Sequence, residues 1–142
     1  MENEHSLNRF TDAQRSAYAT ALSEIRNGRK RSHWMWFIFP QIQGLGFSEA
    51  ARYYGIKDIN EAKAYLNHPV LGGRLIEISN ELLKLESHNA SEIFGSPDDL
   101  KLRSCMTLFA SVPGADPVFH SVLDKFFGGI KDIKTLQILA SS

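Results

Sequence analysis

The stretch SPDDLKLRSCMTLFASV, residues 96–112, carries the clearest helix signal of the chain. Ser96 stands where an N-cap is expected, Pro97 takes the first helical position and Asp99 follows the cap by three residues, as in a capping box. Acidic side chains are favourable there because the amino end of a helix carries partial positive charge. The pattern predicts a helix that begins directly after Ser96, whose hydroxyl we expect to stabilise the fold by about 1 kcal/mol.

Residues that start or end helices also occur on both sides of this stretch. Toward the carboxyl end, Asp116 with Pro117 predicts a helix that stops at Gly128, and Asp132 predicts a short last helix. Toward the amino end, the expected helices are one over residues 11–27 ended by Gly28, one from Ser48 to Gly55, one capped by Asn60, and one begun by Pro69.

Length and pattern together predict one mainly α domain. Alternating apolar and polar runs typical of strands are absent, and 142 residues suffice to bury a sizeable core without disulfides or metals. We therefore expect a compact multihelical single domain of about seven to nine helices over residues 1–142.

Charge and cysteine content limit the classes of partner. Sixteen Lys and Arg balance sixteen Asp and Glu, so the overall field steers neither nucleic acid nor an anionic membrane toward the chain. No apolar run is long enough to span a bilayer, and the single Cys105 suits a reducing compartment. We expect a cytoplasmic protein without nucleic-acid or membrane partners, and its oligomeric state stays open.

An aromatic segment, SHWMWFIFPQIQGLGFS over residues 32–48, contains both tryptophans and three of the nine phenylalanines. Its run HWMWFIF is too short for its period to separate strand from buried helix, and we favour a buried helix ended by Pro40. Such aromatic mass is first of all core-forming. Because Trp34 and Trp36 are two residues apart, they cannot share one helix face, so we expect one deep in the core and the other near a cavity or the surface.

Polar residues at the edge of this segment predict a pocket for a small aromatic or nucleotide-like ligand. His33 is the candidate for proton transfer or ligand orientation, although no complete catalytic signature accompanies it, and enzymatic activity and cofactor remain open. The scattered histidines predict no metal site. The alternative is a protein-interaction module that docks a partner through the same aromatics. The predicted ligand-binding residues are Lys30, Arg31, Ser32, His33, Trp34, Trp36, Gln41, Gly44, Gly46 and Ser48.

Three motifs together, SHWMWFIFPQIQGLG, EAKAYLNHPVLGGRL and DDLKLRSCMTLFA, resemble the bacterial family DUF1810, sometimes mislabelled calpastatin. The resemblance covers nearly the whole chain. It implies a small, mainly helical cytoplasmic protein of a single domain, and it brings no established activity. Nothing in these residues supports the calpastatin label.

Overall fold

The computed structural model describes residues 6–141, which form helices joined by loops. Within this range the one β-type contact is an isolated parallel bridge between Ile42 and Ile56. The mainly α, multihelical architecture is confirmed. The ten helices of the described residues are α1 Asn8–Arg15, α2 Tyr18–Arg26, α3 Met35–Ile38, α4 Glu49–Tyr54, α5 Ile59–Asn67, α6 Leu71–Lys84, α7 Ala90–Phe94, α8 Asp98–Ala110, α9 Val118–Phe127 and α10 Ile133–Ser141.

Helix α8 lies at the centre of the packing. It contacts α5, α7, α9 and α10, while α6 contacts α2, α5 and α9. Seven residues of α8 are buried, and five of them belong to one cluster of apolar side chains that extends from Phe10 in α1 to Leu123 in α9. The lone Cys105 belongs to that cluster, and burial raises the pKa of its thiol well above the usual value. Cys105 is thus a packing residue rather than a reactive one.

The ten helices within residues 6–141 are one more than the upper end of the expected range, because one predicted helix is divided and another was not predicted. The predicted helix over residues 11–27 is two helices, because the amide of Ala17 bonds to the carbonyl of Gln14, three residues back, and this tighter turn separates α1 from α2. Helix α7 was missed because its five residues are too few to show a period. Its start is nonetheless capped: the Asn89 side chain accepts from the amides of Ser91 and Glu92.

Several predicted caps are confirmed. The Ser48 hydroxyl accepts from the amide of Ala51 at 3.1 Å, and the Asp132 carboxylate accepts from the amide of Thr135 at 2.9 Å. Asp116 accepts from the amide of Val118 at 2.8 Å. Gly28 and Gly128, beyond the ends of α2 and α9, have φ of +79° and +60°, a left-handed conformation that favours glycine.

The expected cap at Ser96 was wrong. The amide of Asp99, which that hydroxyl would have served, donates instead to the backbone carbonyl of Gly95 at 2.9 Å. Helix α8 begins at Asp98, and Ser96 lies exposed in the preceding turn. The loss of about 1 kcal/mol expected on removing its hydroxyl therefore no longer follows.

Two further helix starts were also misplaced. Helix α5 begins before Asn60, because the Asp58 carboxylate accepts from the amide of Glu61 at 2.9 Å. Pro69 lies in the turn ahead of α6 rather than in its first position. The start of α6 is served by His68, whose Nδ1 accepts from the amides of Val70 and Leu71 at 3.1 and 3.2 Å.

The close approach of α5 to α6 depends on Gly72. A Cβ at this position would lie 2.0 Å from the carbonyl oxygen of Leu66, whereas a Cβ on the exposed Gly73 would meet nothing within 4 Å. We expect Gly72→Ala to lower the free energy of unfolding by about 1–3 kcal/mol or more, because backbone must move to accommodate it. Gly73→Ala, the matched control, should raise it by about 0.5–1 kcal/mol through helix propensity.

Urea denaturation of the two alanine variants checks this prediction. A gain in stability for Gly72→Ala similar to that of Gly73→Ala would show that the two helices do not approach so closely in solution.

Candidate functional site

The aromatic segment is attached to α2 through Glu24. This carboxylate accepts hydrogen bonds from the amide of Arg31 at 2.8 Å, from the amide and hydroxyl of Ser32 at 3.0 and 2.6 Å, and from the indole nitrogen of Trp34 at 2.9 Å. Partial burial alone would raise the pKa of Glu24, but the donors outweigh it and lower the pKa to about 2. Ser32 and Trp34 therefore serve as donors to a carboxylate of the protein itself.

The low pKa of Glu24 predicts a pH-dependent contribution to stability. Its folded pKa, about 2, lies below the ordinary value of 4.5, so the stabilisation is complete above pH 4.5 and is lost as the pH falls toward 2. We expect Glu24→Gln to lower the free energy of unfolding at pH 7 by about 1–3 kcal/mol, because hydrogen bonds to a charged acceptor are lost. The difference between the two proteins should shrink between pH 4.5 and 2, as measured by denaturation at each pH. A difference that stays constant over this range would contradict the assignment.

A charged bridge connects both tryptophans to α8. Asp98 lies between two lysines, with its Oδ2 3.0 Å from Nζ of Lys30 and its Oδ1 3.2 Å from Nζ of Lys101. Lys30 lies over the ring of Trp34 at 5.1 Å, and Lys101 over that of Trp36 at 4.0 Å from the centroid. Cation–π contacts of this kind favour a fixed position for each ring. The predicted ligand contact Lys30 is thus engaged inside the protein.

The two tryptophans differ in burial, as expected. Trp34 is 1% exposed and contacts the rings of Phe39 and Phe94, whereas Trp36 is half-buried. The predicted buried helix around them is a single turn, α3, which ends at Ile38, and His33 and Trp34 precede it. The other residues of the run HWMWFIF, His33, Trp34 and Phe39, lie in irregular backbone, where the rings of Trp34 and Phe39 contact each other.

Two predicted polar contacts lie at the surface. His33 and Arg31 are exposed, and the ring of His33 makes no hydrogen bond to any residue within 6–141. His33 is therefore not a buried, hydrogen-bonded structural residue. The ring is free to meet a molecule from solvent.

The glycine turn within the aromatic segment closes around a very small void. Trp36, Gln41 and Gly46 line a cavity of about 10 Å³ together with Ile42, Leu45, Ala51, Tyr54 and Gly55. That volume holds about one water molecule and excludes an aromatic ligand. Gly44, with φ of +106°, is exposed in the turn, and Ser48 is used as the cap of α4. The void between Trp36 and Gly46 is therefore too small for such a ligand.

Tyr54 also lines a much larger groove that is open to solvent. This groove has a volume of about 840 Å³ and is lined by Gln43, Glu49, Ala50, Arg52, Tyr53 and Tyr54. The rings of Tyr53 and Tyr54 are 4.8 Å apart and nearly perpendicular, and Phe37 contacts Tyr54 at 5.4 Å. Gln43 is fixed by donating from Nε2 to the backbone carbonyl of Arg52 at 3.2 Å. This groove is a ligand-sized open depression that adjoins the aromatic segment.

Sequence reasoning missed the residues of α4 as a site. The motif EAARYY showed only a short capped helix, and its two adjacent tyrosines after a glycine turn were the one available signal. Tyr53 is 49% exposed, and Phe47 in the preceding turn is 78% exposed. Aromatic rings left in solvent next to a groove are typical of binding surfaces.

Metal and membrane features are absent from the part of the chain that the structure describes. No group of three or more His, Cys, Asp or Glu within residues 6–141 could hold a metal ion. Over the same range, no helix is sufficiently long and apolar to pass through a bilayer.

Comparison with known proteins assigns the chain to a family. The profile described as "Protein of unknown function (DUF1810)" matches residues 4–139. The crystal structure of the conserved hypothetical protein Rv1873 from Mycobacterium tuberculosis is similar throughout, with 46% identity over 99% of this chain and 100% of that chain, and a TM-score of 0.95. No curated protein matches. The chain therefore belongs to the DUF1810 family of proteins of unknown function, as its three motifs had indicated.

Proposed function

We propose that this protein binds a small aromatic ligand in the groove lined by Tyr53 and Tyr54. The groove volume of about 840 Å³ is the observation that carries the proposal, since small-molecule sites commonly measure about 300–1,000 Å³. Two nearly perpendicular tyrosine rings offer one face and one edge to an aromatic guest. Gln43, Glu49 and Arg52 supply the few polar groups that orient such a ligand.

This location changes the expected role of the aromatic segment. Lys30, Ser32 and Trp34 hold the segment to α2 and α8. Gly44, Gly46 and Ser48 form part of the turn that leads into α4, the helix that carries the two tyrosines. Trp36 and Gln41 border the small void on the inner side of Tyr54, and the exposed His33 and Arg31 remain available to a ligand from the surface.

A thermal-shift experiment tests the proposal, because a ligand that binds only the folded state raises the melting temperature. Adenosine and adenosine monophosphate serve as probes, each with and without the substitution Tyr53→Ala. We expect a rise in melting temperature that Tyr53→Ala abolishes. Since Tyr53 is half exposed, its truncation should leave the unliganded protein folded.

His33→Ala provides the second arm of this experiment. Because His33 is exposed, we expect its replacement to change the unliganded free energy of unfolding by less than about 0.5 kcal/mol. Loss of the ligand-induced shift in this variant would extend the site to His33. A shift that survives Tyr53→Ala would contradict binding at the groove, whatever the result for His33→Ala.

A second function is favoured by the exposure of Phe47. This ring, 78% exposed in the turn that precedes α4, would suit a module that docks a protein partner through the aromatic segment. Sedimentation over a range of concentrations distinguishes the two functions. Self-association that Phe47→Ser removes would favour docking, whereas a monomer at all concentrations with ligand-induced stabilisation favours the groove.

A further inference from the structure

One acidic and one basic side chain line the groove. Glu49 and Arg52 both line it, three residues apart on α4, a spacing that places their Cβ atoms about 5–6 Å from each other. Within residues 6–141 neither side chain takes part in an ion pair. Both charged ends are consequently free to meet a ligand.

We infer that the ligand of this groove is a zwitterionic aromatic molecule of the α-amino acid class, an inference that rests on the proposed function. Its ring would lie against Tyr53 and Tyr54, its carboxylate would meet the Arg52 guanidinium and its ammonium would meet the Glu49 carboxylate. A guanidinium can bind a carboxylate through two parallel hydrogen bonds. In an α-amino acid the ammonium and the carboxylate are attached to one carbon. This short separation matches a carboxylate and a guanidinium that lie three residues apart on one helix.

Singly charged ligands fit this pair less well. A phosphate-bearing ligand would gain from Arg52 but would bring its negative charge next to Glu49. An aromatic amine would gain from Glu49 and be repelled by Arg52. Only a ligand with both charges compensates both side chains, since like charges disfavour one another at these distances.

Calorimetric titration of the full chain with three probes that share one ring tests the inference. The probes are L-phenylalanine, phenethylamine, which lacks the carboxylate, and 3-phenylpropionate, which lacks the ammonium. We expect L-phenylalanine to bind about tenfold or more tightly than either of the others. Arg52→Gln should remove its advantage over phenethylamine, and Glu49→Gln its advantage over 3-phenylpropionate.

Arg29→Gln is the control, because Arg29 is an exposed cation that does not line the groove, and its binding should match the unaltered protein. Equal affinities for the three probes, all abolished by Tyr53→Ala, would overturn the zwitterion inference and leave the aromatic groove in place. Binding of adenosine monophosphate without binding of L-phenylalanine would do the same. Failure of every ring-bearing probe to bind would overturn both proposals.

Discussion

Trp34→Ala should lower the free energy of unfolding by about 3–5 kcal/mol, the range found when a large buried aromatic side chain is truncated. Trp34 is 1% exposed and packs against Phe39 and Phe94, so its removal leaves a cavity in the core. The substitution also removes the indole N–H that donates to Glu24 and the ring over which the Lys30 ammonium lies. Each loss adds to the cost of the cavity.

Trp36→Ala is the matched control for this experiment. Trp36 is half-buried and its main partner is the Lys101 ammonium, so its truncation should cost less than half as much. Each variant retains one tryptophan, and its fluorescence follows unfolding in guanidinium chloride. Trp34→Phe, which keeps a ring but donates nothing to Glu24, should fall between Trp34→Ala and the unaltered protein. Small and equal losses for both alanine variants would instead indicate an exposed aromatic patch.

Arg9→Met should cost a similar amount, about 3–5 kcal/mol, because it breaks a buried ion pair and leaves a carboxylate without its partner. Arg9 is 2% exposed, and its guanidinium donates to both carboxylate oxygens of Glu61, at 3.2 and 3.0 Å. It also donates to the carbonyls of Ser6 and Gly55 at 2.8 and 2.9 Å. These bonds connect α1 to the backbone at Gly55, directly after α4, and to Glu61 in α5.

The control for Arg9 is a surface pair on the same helix. Arg15 lies 3.1 Å from Asp12, but the two side chains are 73% and 66% exposed, so Arg15→Met should cost less than about 1 kcal/mol. In the double variant Arg9→Met/Glu61→Met, part of the stability should return, since no buried charge is left unpaired. Urea denaturation of all four proteins measures these differences. Equal costs for Arg9→Met and Arg15→Met would contradict the burial of the Arg9 pair.

Local chemistry in the sequence determined most of the helical architecture. Ser48, Asp116 and Asp132 each cap a helix through an amide two or three residues away, and the turns at Gly28 and Gly128 need the conformation that glycine adopts most easily. Such interactions involve neighbours in the chain, so the pattern of residues is enough to predict them. The prediction failed at Ser96, where a backbone carbonyl from outside the assumed motif had already satisfied the amide.

The candidate site depended on contacts that no local pattern contains. The sequence identified the aromatic segment and the inequality of its two tryptophans, but not that Glu24 holds Ser32 and Trp34 from the preceding helix, nor that Asp98 lies between Lys30 and Lys101. These partners come from α2 and α8, and only packing of those helices brings them together. The groove likewise forms where Gln43 of the turn meets the tyrosines of α4. Capping and periodicity are properties of adjacent residues, whereas burial, charge pairing and cavity shape arise from distant segments in contact, and so the position of the groove is visible only in the tertiary structure.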